Sequence, residues 1–194
     1  VSIGIEASLT GHLVFAALHT NSAPESINRL LDMGMDPFNF ADALLGILAQ
    51  RLAKRLCKSC KEAYNPAAEE IKQLMREYCE DLANTVFWKK DPKAAADAIY
   101  QEWLNRYAKD GKFTLYRSKG CEACGGSGYK GRVGLHELLI GTDALKKQIQ
   151  EHARVAELFA TALNEGMRTL KMDGIEKVLS GITDLKQVRS VCIK

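Results

Sequence analysis

The sequence predicts an α/β fold that runs into a cysteine-clamped subdomain with a helical insertion and ends in a helical bundle. Three observations support this. A helix, a glycine and a short buried-strand pattern fill the first eighteen residues, which is half of a parallel α/β unit. Two Cys-x-x-Cys pairs then stand about sixty residues apart. From Thr142 onward the text is helical and broken by glycines.

Residues Ile3 to Thr10 fit the last turns of a helix stopped by Gly11. His12 to Leu18 is a continuous apolar run, rich enough in Leu, Val and Phe to predict a buried strand. Ser22-Ala-Pro-Glu25 is a capping box with Pro in the first turn, opening a helix with Ile27, Leu30 and Leu31 on one face and Gly34 at its end. Asp36-Pro37 opens the next, which carries Phe40, Leu44, Leu45 and Leu48; Leu52 to Leu56 then predicts a strand. Between the cysteine pairs, Ile71, Leu74, Met75 and Tyr78 mark one helix face. Ala98, Ile99, Trp103, Leu104 and Tyr107 mark a second after Asp91-Pro92, so a helical hairpin is expected there. Phe113 to Tyr116 and Val133 to Ile140 predict strands. Helices follow over Asp143–Gln150, Val155–Glu165, Thr169–Ser180 and Asp184–Val191, with Gly166 and Gly181 as stops and Thr183 as an N-cap.

A chain of 194 residues with 46% hydrophobic content can bury a core of one large domain or two small ones. The net charge of +3 comes from scattered rather than clustered Lys and Arg, and no nucleic-acid partner is expected. No apolar run approaches a membrane span. The chain opens at Val1, without Met, in what reads as the middle of an ordered element, so further sequence is expected upstream.

Four of the six cysteines form the pairs Cys57-Lys-Ser-Cys60 and Cys121-Glu-Ala-Cys124. Two intervening residues let a tight turn aim both thiolates at one point, and two such turns give the tetrahedral sulfur set of a closed structural zinc site. Gly125, Gly126 and Gly128 suit the positive φ of the second turn. Disulfides, a redox dithiol or an iron–sulfur cluster are the alternatives for the same four residues. Cys79 and Cys192 read as small buried or half-buried hydrophobes, and His136 is the nearest substitute ligand.

The stretch Leu9-Thr-Gly-His-Leu-Val-Phe-Ala-Ala-Leu-His-Thr-Asn-Ser-Ala23 resembles the histidine box of the traffic ATPases of type II secretion and type IV pilus assembly, the general secretory pathway protein E family. The resemblance continues through Ile27-Asn-Arg-Leu-Leu31, Gln50-Arg-Leu-Ala-Lys-Arg-Leu-Cys57 and Gly128-Tyr-Lys-Gly-Arg-Val-Gly-Leu-His-Glu-Leu-Leu139. It closes with Glu165-Gly-Met-Arg-Thr-Leu-Lys-Met-Asp-Gly174 and Gly181-Ile-Thr-Asp-Leu185. The segment between the cysteine pairs resembles the family in position only. The tetracysteine element is similar to that of assembly and secretion motors, which the retraction ATPases lack.

The resemblance implies that this is the C-terminal portion of such a motor. Residues 1–56 would end a RecA-like ATPase domain, 57–128 would form the zinc-binding subdomain with its hairpin, and 129–194 would return to the core and make a C-terminal helical domain. It implies a homo-hexamer using ATP and Mg2+, cytoplasmic and peripheral at the inner membrane through secretion or pilus platform proteins. His19 takes the nucleotide-sensing role, with His12 orienting or packing and Thr20 completing the box. An imidazole at the end of a strand can hydrogen-bond a γ-phosphate or the attacking water. Arg29, Arg51 and Arg132 are each candidates to face a phosphate. The sequence contains no G-x-x-x-x-G-K-[ST] phosphate loop and no acidic magnesium-holding segment before the histidine box. The full-length protein is therefore expected to hydrolyse ATP and this chain alone is not. A zinc-stabilised protein-binding module is the other reading, because Cys121-Glu-Ala-Cys124-Gly-Gly126-Ser-Gly128 is similar to the cysteine repeat of J-domain co-chaperones. A zinc ribbon for nucleic acid would rest on Lys112, Arg117, Lys119, Lys130 and Arg132.

Overall fold

A computed structural model describes residues 1–192; residues 193–194, the end of the last expected segment, lie outside the described residues. The chain divides into two compact units, residues 1–49 with 137–168 and residues 50–136 with 169–194.

In the first unit, α1 (Ser2–Leu9) stops before Gly11, whose φ is 101°. α2 (Ala23–Asp32) and α3 (Pro37–Ala43) start at the predicted caps. The Ser22 hydroxyl accepts from the Glu25 amide and the Asp36 carboxylate from the Asn39 amide, each satisfying a donor that the first turn leaves open and contributing about 1 kcal/mol. α7 (Asp143–Gln150) is capped by Thr142 and α8 (Val155–Asn164) follows it. α2 packs on α8, and α3 on α7. Ile27, Phe40, Leu139, Leu145, Ile149, Leu158 and Leu163 are buried in this unit.

Strand β1 (Gly46–Leu56) pairs with strand β4 (Tyr129–Ile140), and the unit boundary crosses both strands, so each unit holds one part of the pair. Along β4, Leu135, Glu137 and Leu139 are buried while His136, Leu138 and Ile140 are exposed, the alternation of a strand with one covered face.

The second unit holds β2 (Glu62–Tyr64), which pairs antiparallel with β3 (Leu115–Arg117) in the register Glu62↔Arg117, Ala63↔Tyr116 and Tyr64↔Leu115. Between them lie α4 (Ala68–Cys79), α5 (Val86–Lys90) and α6 (Pro92–Tyr107). The expected hairpin is α4 against α6, held by Trp103, which is 1% exposed and meets Tyr78 edge-on at 5.1 Å. α9 (Leu170–Leu179) and α10 (Leu185–Val191) pack on each other, and α4 packs on α9. The turn between α9 and α10 is tied to the end of β1. The Leu56 amide donates to the Ile182 carbonyl, and the Thr183 hydroxyl donates to the Lys54 carbonyl.

Several expectations are corrected. His12 to Leu18 is not a strand, and Leu13 and Phe15 are 69% and 89% exposed. A buried parallel strand needs neighbours for its amides and carbonyls, and among the described residues both sheets are two-stranded pairs that exclude this run. The helix at Asp36-Pro37 ends at Ala43, and Leu45 and Leu48 fall outside it. Gly46 opens β1 because a Cβ there would lie 2.9 Å from the Leu139 carbonyl oxygen, so only glycine lets the strands approach. β3 starts two residues after the predicted Phe113, and β4 starts four residues before Val133. On α6, Ala98 is exposed and Trp103 is the one buried side chain. Thr183 does not cap α10; its hydroxyl is turned to Lys54, and Asp184 accepts from the Gln187 amide instead. Of the last four helices, α7 and α8 belong to the first unit and α9 and α10 to the second.

Candidate functional site

The metal-binding candidate is built from two turns in the second unit. Leaving β1, the chain reverses at Cys57, whose carbonyl accepts from the amides of Cys60 (3.3 Å) and Lys61 (2.9 Å), while its own amide donates to the Gly128 carbonyl at 2.9 Å. The second turn repeats this, with the Cys121 carbonyl accepting from the amides of Cys124 (3.2 Å) and Gly126 (2.9 Å). Gly125, Gly126 and Gly128 have φ of 61°, 80° and 78°, the left-handed region that the spacing called for. Gly120 is dictated by packing as well, because a Cβ there would lie 2.5 Å from the Gly126 carbonyl oxygen. The β2–β3 ladder follows the first pair and precedes the second, so it closes the base of the insertion beside both.

The four Sγ atoms lie within 4.8 Å of one another. The separations are 4.0 Å for Cys57–Cys121, 3.9 Å for Cys60–Cys124 and 3.8 Å for Cys121–Cys124. A tetrahedral ion with metal–sulfur bonds of about 2.3 Å needs sulfurs about 3.8 Å apart, whereas a disulfide needs about 2.05 Å. The arrangement fits one metal ion shared by four thiolates. Cys57 is buried and the other three are half-buried. Backbone amides prepare the charge. Those of Cys121 and Gly128 both donate to the Cys124 sulfur at 3.2 Å. With the Cys121 amide as the larger cause, they hold the Cys124 thiol down at about 6, well below the ordinary value. A backbone hydrogen bond from Ser59 lowers the Cys57 thiol, and burial pushes Cys60 up to about 11. His136 is outside the ligand set; its ring lies over Gly134, where a Cβ would come within 2.7 Å of it. Cys79 is buried at the end of α4, and that burial pushes its thiol up to about 11, as suits a packing residue. Cys192 is half-buried.

The histidine segment belongs to the first unit, and the structure gives its two histidines separate partners. His12 Nδ1 lies 3.2 Å from the Ala7 carbonyl oxygen and 3.4 Å from Thr10 Oγ1, so it closes the end of α1. The His19 side chain is exposed, and its carbonyl accepts from Arg29 on α2 at 3.0 Å. The Thr20 hydroxyl donates to the Ser22 carbonyl and shares a hydrogen bond with Ser26. Of the three candidate arginines, Arg29 is thus placed on the histidine turn; Arg51 donates to the neighbouring Gln50 carbonyl and Arg132 is exposed on β4. Sequence reading passed over Glu137. The signal was an acid between Leu135 and Leu139 in the register of the covered face. The residue is 2% exposed, and its carboxylate accepts from the Ala23 amide at 2.7 Å.

The family model described as type II/IV secretion system protein matches residues 1–190. The chain belongs to that family. Among relatives of this type II/IV secretion chain is the type IV pilus assembly ATPase PilB of Thermus thermophilus, 39% identical over 186 residues that make up 96% of this chain and 18% of the relative. The type II secretion system ATPase E of Vibrio cholerae is 38% identical over 191 residues, 97% of this chain and 31% of its own length. The PilB of Pseudomonas aeruginosa is 37% identical over 189 residues, 97% of this chain and 28% of the relative. The secretion-family chain therefore spans less than a third of the length of these relatives. Among its described residues no helix is long and apolar enough to cross a membrane.

Proposed function

We infer that this chain is the portion of a hexameric secretion or pilus-assembly ATPase that reports the state of bound nucleotide and carries a structural zinc ion. In the full-length protein, ATP hydrolysis with Mg2+ would drive assembly of a pilus or pseudopilus, in the cytoplasm and against inner-membrane platform proteins. The observation that supports this best is the histidine turn. An exposed imidazole sits on a backbone held by Arg29 and by the Thr20, Ser22 and Ser26 hydrogen bonds, the kind of prepositioned group that can meet a phosphate without first being ordered. In this reading residues 1–56 complete a RecA-like domain. Residues 57–128 are the zinc subdomain and 129–194 return to the core and end in the helical domain. The four-thiolate geometry and the two amide bonds to Cys124 suit zinc, which holds this set closed and takes no part in chemistry.

Steady-state phosphate release from the full-length protein tests the sensing role. His19→Ala should lower kcat by roughly 100-fold, the usual weight of a group acting on the attacking water; wild-type turnover in that variant would reject it. Residues 1–194 alone, which contain no phosphate loop, should release no phosphate above the same variant's background.

A further inference from the structure

We propose that Glu137 is the positioning residue for His19, a buried carboxylate on β4 that fixes the histidine turn by holding the first amide of α2. The proposal rests on the reading of His19 as the group that meets nucleotide.

A carboxylate does not occupy a core-facing strand position without compensation, since removing its charge from water is costly unless it is paired or hydrogen-bonded. Glu137 stands between two leucines that are each 0% exposed, where apolar side chains would satisfy packing alone. Its Oε2 accepts from the Ala23 amide at 2.7 Å, a short charge-assisted bond at the positive end of a ten-residue helix. The first turn of α2 makes this bond the decisive one. Pro24 has no amide hydrogen and the Glu25 amide is taken by Ser22, so the Ala23 amide is the donor left for a group outside the helix. Ala23, Pro24 and Ser26 are buried, so water cannot take the place of the carboxylate.

The chain from His19 to Ser22 is therefore held at both ends. Arg29 holds the His19 carbonyl from one side, and Glu137 holds the amide that immediately follows Ser22 from the other. Between them the Thr20 and Ser26 hydroxyls bind the Ser22 carbonyl. Arg29 and the hydroxyls belong to the same local segment of chain as the turn. Glu137 alone among these partners comes from a distant strand, so it sets where the imidazole stands relative to the sheet.

The test is a double-mutant cycle in the full-length protein, read as kcat and KM for Mg–ATP. Glu137→Met keeps length and removes the acceptor; Glu137→Gln keeps an acceptor and removes the charge. Glu137→Met should lower kcat about 10- to 100-fold, the cost of misplacing a reacting group, with KM within about twofold because ground-state binding is untouched. Glu137→Gln should show a smaller fall of several-fold. Either change combined with His19→Ala should fall no lower than the worse single variant, since both remove the same interaction. A purely structural glutamate would give losses that multiply in the double variant, or a KM that rises with kcat preserved; either result overturns the proposal. Wild-type kcat in both Glu137 variants with an impaired His19→Ala also overturns it, while leaving the sensor reading intact. Wild-type kcat in His19→Ala rejects the sensor reading and the proposal with it. Where Glu137→Met does not fold, Glu137→Gln carries the same cycle.

Discussion

The cysteine turns and the histidine segment are both short motifs, yet they reach the folded state in opposite condition. Around Cys57, Cys60, Cys121 and Cys124 every partner is supplied close by: amides to sulfur, carbonyls to amides, and the β2–β3 ladder across the base. Around His12 to Leu18 the apolar side chains face outward, and the hydrogen bonds gather only at the two ends, at His12 and from His19 to Ser22. A turn carries its own geometry within a few residues. A strand has none until another strand lies beside it.

Three experiments can break or sharpen that contrast. Loss of a metal ligand should have the largest effect. Cys124→Ser should lower metal content from one ion per chain and cost at least about 3 kcal/mol, roughly a 10 °C fall in Tm by calorimetry; unchanged stability in metal-free protein would erase the contrast. The ion pair that ties the insertion to the last helix should matter less. Glu77 on α4 and Arg189 on α10 are hydrogen-bonded, and that bond holds the Glu77 carboxyl below its ordinary value. Because the folded value is the lower one, the stabilisation is complete above the ordinary carboxylate range and is lost as pH falls through the folded value. Glu77→Gln should therefore lower Tm by about 2–4 °C at neutral pH, for a contribution near 1 kcal/mol, and the gap from wild type should be smaller in acid, below the ordinary carboxylate range, than at neutral pH. A gap of equal size at both pH values would mean that charge is not the cause. The smallest effect belongs to the histidine segment. Phe15→Ser in residues 1–194 should change stability by less than about 0.5 kcal/mol in denaturant unfolding, as for an exposed side chain; a loss of several times that would show that the run is packed in solution.

The same contrast explains what could be read from the sequence. Ser22 and Asp36 cap the helices they were expected to open, and Asp91 and Thr142 cap theirs in the same way, because a cap needs only the amide three residues on. The cysteine set was legible for the same reason, since each pair turns within four residues and the two pairs were expected to share one site. Leu44 to Leu48 was not legible, since a short leucine-rich run fits a helix face and a strand alike. The strand won there through Gly46, whose close approach to Leu139 is a tertiary fact. Thr183 and Asp184 are adjacent potential caps, and the choice was made by Lys54, whose carbonyl takes the threonine hydroxyl. Glu137 was hidden by its family motif: inside Leu-His-Glu-Leu-Leu it passed as one polar residue in an alternating strand, and its partner Ala23 is far away in sequence.

The α9–α10 turn has a consequence for how this protein is made. The four clustered thiols lie at or before residue 124, so a nascent chain can bring them together while α9 and α10 are still unsynthesised. The bonds from Leu56, Thr183 and Lys61 that fasten the turn at Gly181 and Ile182 to that region form only after the ribosome has delivered residues 181–183. Translation therefore supplies the cysteine cluster before its cover, and a chain stalled before residue 181 would carry that cluster with one flank still open.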